Sequence, residues 1–154
     1  MNDALKQFLY KANTRGYGST GVDEEKLPNG EHVIHFSDDD YEFKDVYYGG
    51  EPYAGQEVIF AQGGRAIWAM QYRGFVVDGE ELGPIYEFLG KVLTGTEVGL
   101  PRGVDGFADG DFSYEFKMNG DLDEFSANEK ILRGGKVVYA ADFLGGLVDT
   151  RRED

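Results

Sequence analysis

Two stretches of the chain spell one pattern twice: YAGQEVIFAQGGRAIWAMQYRGFVVD at residues 53–78 and FSANEKILRGGKVVYAADFLGGLVD at residues 125–149. Tyr53 matches Phe125, and Glu57 matches Glu129. After a Gly-Gly turn, Arg65 matches Lys136, Trp68 matches Tyr139, Tyr72 matches Phe143, Gly74 matches Gly145 and Asp78 matches Asp149. The offset is 72 before the turn and 71 after it. Repetition at a fixed spacing marks a unit used twice. Apolar and polar residues alternate through both stretches, the signature of strands with one covered face. Tight glycine turns between such strands make antiparallel hairpins.

The match extends outward. Residues 38–43 parallel residues 109–114 at offset 71, which keeps the aromatic alternation in phase, whereas aligning the two YEFK segments would need offset 73. Further upstream, Phe8-Leu9-Tyr10-Lys11 resembles Phe88-Leu89-Gly90-Lys91. A helix is predicted over residues 3–13, with Asn2 or Asp3 as cap and Leu5, Phe8, Leu9 and Ala12 on one face. A second is predicted over 84–94, with Pro84 in its first turn. Strands are predicted near 31–36, 41–48, 56–61, 65–73, 111–118, 128–133 and 136–143. The expected fold is α+β: a single, internally duplicated domain of residues 1–154, with half-repeats at about 3–78 and 84–149. Two helices would pack on a curved antiparallel sheet.

The unequal spacing also predicts a register. If the second hairpin turns on Gly134-Gly135, the first needs the three-residue loop Gln62-Gly63-Gly64. Simple pairing then sets Val58 opposite Trp68 and Glu57 opposite Ala69, with Lys130 opposite Tyr139 and Glu129 opposite Ala140. On that register Val58, Phe60, Trp68, Met70 and Tyr72 form the core face. Glu57 lies on the other face with Ile59, Ile67, Ala69 and Gln71.

Composition bounds the function. The 154 residues include 29 acidic and 15 basic ones, a net charge of -14, with 41% hydrophobic and 14% aromatic residues. Such a chain can build a core and is unlike a disordered acidic tail. The absence of cysteine removes disulfides and thiolate chemistry. Nucleic acid is not an expected partner, since phosphate contacts need a basic face. The beginning of the chain has no basic region followed by an apolar one. No apolar run approaches the roughly 18 residues of a membrane span, so the expected setting is the cytoplasm, away from membranes. The acids are scattered and lysines number only 8. That favours adaptation to a salty solvent, as in a halophile, over a dedicated acidic face.

Glu57 and Glu129 are the leading site candidates, because a carboxylate among apolar neighbours has a raised pKa and can move protons. Their plainer role is structural. Tyr48, Tyr53 and Trp68 complete the candidate ligand-binding set; Tyr48 and Tyr53 flank the turn Gly49-Gly50-Glu51-Pro52 and are expected to be exposed. His32 and His35 should point to opposite faces of a strand and cannot clasp one metal. The Asp38–Asp40 and Asp109–Asp111 clusters fit turns. Asn119, Asp121 and Asp123 imitate the start of a calcium loop but lack its glycine and closing glutamate. Residues 16–21 spell a glycine-rich pattern without the strand-to-helix context of a nucleotide site. No metal or cofactor is expected, and no nucleophilic triad is visible.

These residues resemble a family: an uncharacterised bacterial and archaeal domain found alone or behind helix-turn-helix regulators. The pattern is carried by Tyr47-Tyr48-Gly49-Gly50, Tyr53 to Ile59, Ile67 to Gly74, Phe125 to Glu129 and Gly145 to Val148, within a similarity running from Phe8 to Val148. Gln71 to Arg73 departs from it, where a more aromatic stretch is expected. The resemblance implies a sensing or interaction role and no known activity. The leading expectation is a non-catalytic domain that binds a small molecule or partner between the halves. The alternatives are an enzyme using Glu57 or Glu129 as acid or base, and a homodimerisation module.

Overall fold

The computed structural model describes residues 1–18 and 24–151, and the side chains of these except at 16–18. Helix α1 covers Asp3–Gly18 and α2 covers Leu82–Thr94. Strands β1 (Glu24–Lys26), β2 (His32–Ser37), β3 (Tyr41–Tyr48), β4 (Tyr53–Ala61) and β5 (Ala66–Val76) lie before α2. After it come β6 (Gly106–Asp109), β7 (Phe112–Asp121), β8 (Glu124–Arg133) and β9 (Lys136–Leu147). All nine join one open antiparallel sheet in the order β1-β2-β3-β4-β5-β9-β8-β7-β6.

The duplication sets that order. At the centre β5 pairs with β9, and Tyr72 lies opposite Phe143. These two residues are themselves equivalents at offset 71. A pseudo-twofold axis therefore passes between them, and Trp68 opposite Leu147 is mirrored by Val76 opposite Tyr139. The helices repeat their contacts as well. Phe8 packs on Phe36 and Tyr41 at 5.4 and 5.2 Å. Phe88 packs on Phe107 and Phe112, the offset-71 equivalents, at 5.7 and 5.1 Å. Asp45 opposite Glu57 corresponds to Phe116 opposite Glu129, which fixes offset 71 as the upstream register. Both helices bury their apolar stripes in one continuous core on a single face of the sheet. Asn2 caps α1 through its Oδ1, which accepts from Leu5 N–H at 2.8 Å, as a short polar residue at that position does.

The hairpin loops match expectation while the face assignment does not. Arg133 pairs with Lys136 around Gly134-Gly135. In the first half Ala61 N–H donates to Arg65 O, enclosing the three-residue loop 62–64. Ile59, not Val58, lies opposite Trp68, and Glu57 lies opposite Met70. Likewise Ile131 lies opposite Tyr139 and Glu129 opposite Ala141. The cause is a β-bulge in each hairpin, where Ile67 and Val138 are inserted as extra residues. A bulge sets two residues against one and bends its strand, so every side chain beyond it changes face relative to simple pairing. Glu57 and Glu129 therefore point into the core with Trp68, Met70 and Tyr72, and Val58 and Phe60 point outward.

Candidate functional site

The inward phase of β3 reads Tyr41, Phe43, Asp45, Tyr47, so alternation drives a carboxylate under the helices. Glu57 faces Asp45 across the β3–β4 ladder. Glu129 occupies the equivalent place on β8. Asp45 is 2% exposed, and Glu57 and Glu129 are fully buried. The cation among them is Arg102, 3% exposed, from the turn-rich segment between α2 and β6.

Glu129 is fully engaged. Arg102 Nη2 lies 3.2 Å from its Oε1. Tyr139 O–H donates to the same oxygen at 2.7 Å, and Tyr114 O–H donates to Oε2 at 2.6 Å. The hydroxyls of Tyr139 and Tyr53 are hydrogen-bonded to each other, which carries the network into the first half. There, Tyr72 O–H donates to Asp45 Oδ1 at 2.6 Å. The Arg102 guanidinium also lies 5.5 Å over the Phe143 ring, close to the pseudo-twofold axis.

Burial dominates the electrostatics. Desolvation pushes the Asp45 carboxyl up to about 6, against the opposing hydrogen bond from Tyr72 and the charge of Arg102; Glu24 adds a smaller upward push. Desolvation, then the charge of Glu129, raises the Tyr114 and Tyr139 phenols far above their ordinary range. The Tyr72 phenol is raised by burial and then by Asp45 and Glu57. Arg102 pulls in the other direction on all three phenols and on Tyr53. These hydroxyls are donors at any ordinary pH, and the guanidinium is a permanent charge.

The remaining candidates go elsewhere. Trp68 is fully buried, stacks on Phe125 at 6.1 Å, and its Nε1–H donates to Leu122 O at 2.9 Å. Tyr48 is exposed and donates to Glu31 on the surface. Tyr53 is half-buried instead of exposed, and joins the interior network. The turn between Tyr48 and Tyr53 is held by Glu51. Its Oε1 accepts from Val76 N–H at 2.7 Å and its Oε2 accepts from Tyr86 O–H.

His32 stacks on Tyr47 at 4.6 Å with Nδ1 3.3 Å from Glu24, while His35 is exposed. Asp38 and Asp121 close their turns by accepting backbone N–H groups. Among the described residues no cluster of three or more His, Asp or Glu could hold a metal, and no helix is long and apolar enough to cross a membrane. The glycine-rich pattern of residues 16–21 runs from the end of α1 to outside the described residues.

Asp45 and Arg102 were not among the sequence candidates. Asp45 carried a readable signal, its phase with Phe43. Arg102 carried none, because it follows Pro101 in a segment without periodicity.

Fold and site together define a duplicated α+β domain whose two halves share an ionised, tyrosine-lined interior. A family model described as a domain of unknown function (DUF5680) matches residues 45–148, from Asp45 to the end of the central sheet. The chain belongs to this family. No curated protein and no solved structure matches it.

Proposed function

We propose that this is a non-catalytic, sensor-type binding domain, a single duplicated unit working in the cytoplasm. Its ligand contacts would be the interior polar groups where the halves meet. The observation that carries the reading is the buried Arg102–Glu129 pair with its tyrosine donors. A buried ion pair is a poor way to gain stability, because apolar residues of similar volume usually do as well or better. Its retention beside two further buried carboxyls fits a role in recognition. A guanidinium near carboxylates suits a small zwitterion, whose anionic and cationic ends would each find a partner. The resemblance to domains standing alone or behind helix-turn-helix regulators in bacteria and archaea supports a sensing role. The scattered acidic surface fits a salt-rich cytoplasm.

The test is thermal-shift titration with free amino acids and short diamines, on the wild type and on Arg102→Met/Glu129→Gln. The reading expects at least one compound to raise the wild-type melting temperature and to leave the double variant unmoved. A flat response to all of them, or equal shifts in both proteins, removes it.

One observation favours the enzymatic alternative. Burial pushes the Asp45 carboxyl up to about 6, toward the range in which a group can both accept and give a proton. On that reading Asp45 is the acid or base beside Glu57, and Glu129, with both oxygens occupied, orients Arg102. Turnover abolished by Asp45→Asn would select it over simple binding.

A further inference from the structure

Arg102 reaches the interior from the turn Pro101-Arg102-Gly103, and equivalent residues of the two helices hold that turn at its two ends. The helix match that aligns Phe8 with Phe88, at offset 80, also aligns Asn13 with Leu93. Asn13 of α1 is fully buried, and its Nδ2–H donates at 2.7 Å to Pro101 O, the carbonyl next to Arg102. Leu93 of α2 packs beside Gly103, where an added Cβ would lie 3.7 Å from Leu93 Cδ2. Gly103 has φ of +67°, and its carbonyl accepts from Glu97 N–H at 2.8 Å. The same Cβ would lie 2.8 Å from the Tyr114 hydroxyl, so the turn fits closely against one of the phenols that donate to Glu129.

In the duplicated unit this helix position is apolar in one copy and an amide in the other. Leucine fills such a place by packing alone. The amide suits it poorly, because Asn13 Oδ1 is buried with no hydrogen-bond partner among the described residues. A buried polar atom without a partner costs stability that an apolar side chain of the same shape does not. What Asn13 adds is a directional bond across 88 residues of sequence, from the first half's helix to the peptide that aims Arg102. Site groups act only when their supports hold them to within about 0.5 Å.

We propose that Asn13 is a positioning residue, fixing from the first half the turn that seats Arg102 among the carboxyls, so that α1 controls the cation of the interior site. The meaning of that control rests on the interior being the binding site proposed above, while the contact itself can be read without a ligand. Burial raises the Asp45 carboxyl and the Arg102 charge opposes it; Tyr72, Glu57 and Glu24 are the other groups beside it. A displaced guanidinium lets Asp45 keep its proton to higher pH in the folded chain. A variant that loosens the turn therefore loses more stability as pH rises. A loss of packing alone is the same at every pH.

Urea unfolding of the full chain at pH 5 and pH 8 tests this with Asn13→Leu, which keeps the branched shape and removes the donor. The ratio of folding constants, wild type over variant, should be about tenfold larger at pH 8 than at pH 5. In the background Arg102→Met/Glu129→Gln the same substitution should give one ratio at both pH values, since no guanidinium remains to be misplaced. If Asn13→Leu does not fold, as judged by circular dichroism, Asn13→Gln shifts the amide by one methylene and carries the same cycle. A ratio independent of pH in the otherwise wild-type chain overturns the proposal. So does a pH dependence that persists without Arg102. Neither outcome depends on the ligand titration, so a protein that binds none of those compounds can still pass this test.

Discussion

Asp45 shows how a single buried carboxyl makes stability depend on pH. Its carboxyl holds a proton up to about pH 6 in the folded chain, against an ordinary value of 3.8. Between about pH 4 and pH 6 the folded state therefore binds more protons than the unfolded one, and this group lowers stability as pH rises through that window. Above the window its full cost persists. Asp45→Asn keeps an acceptor for Tyr72 and removes the titration. Its stability advantage over wild type should grow by roughly 3 kcal/mol from pH 4 to pH 7, read by urea unfolding at each pH. A constant difference across the range would contradict the assignment. Arg102 makes the opposite case. Arg102→Met alone leaves Glu129 buried without its cation, with only the Tyr114 and Tyr139 hydroxyls to support it, and should cost about 3–5 kcal/mol in the same assay. Adding Glu129→Gln should recover most of that loss, and a double variant no better than the single would mean that the pair is not coupled.

At the scale of elements, the same glycine opens the turn after β3 and the turn that closes β7 onto β8. Gly49 and Gly120, offset by 71, have φ of +75° and +95°. A Cβ on either would fall far inside van der Waals contact of a backbone carbonyl, that of Pro52 or Glu124. Gly49→Ala and Gly120→Ala should each lower stability by about 2–4 kcal/mol by chemical denaturation, combining strain at positive φ with the clash. Gly30→Ala, at positive φ but with nothing near its Cβ, should cost about 1 kcal/mol. Equal losses at all three would mean that the carbonyl approach is unimportant.

The inner strands were legible in the sequence because aromatic alternation is strong there; β3 runs over the predicted 41–48. Strands β1 and β6 were not, since EEK and GFAD are exposed throughout and have no face to alternate. The bulges escaped because inserting one residue leaves composition untouched. Their trace is an unbroken apolar run, Ala66 to Met70 and Val137 to Ala141, where strict alternation would interleave polar residues. That omission put Glu57 on the wrong face while leaving the hairpins correct.

Over the whole molecule, 29 acids against 15 bases make self-repulsion a term in folding as well as in association. The melting temperature should rise by about 5 °C or more between dilute buffer and molar salt, as screening shortens the range of that repulsion. A melting temperature that falls or stays level would mean the surface charge is already balanced locally. The axis between Tyr72 and Phe143 has a consequence of a different kind. Because β5 meets β9 with equivalent residues opposed, a fragment of residues 79–151 carries an edge that is its own template. Two such fragments can zip β9 to β9 with Phe143 against Phe143, giving each the seam that β5 supplies in the intact chain. Half of the sequence should therefore assemble into a two-chain copy of the whole sheet, lacking only the β1 fringe.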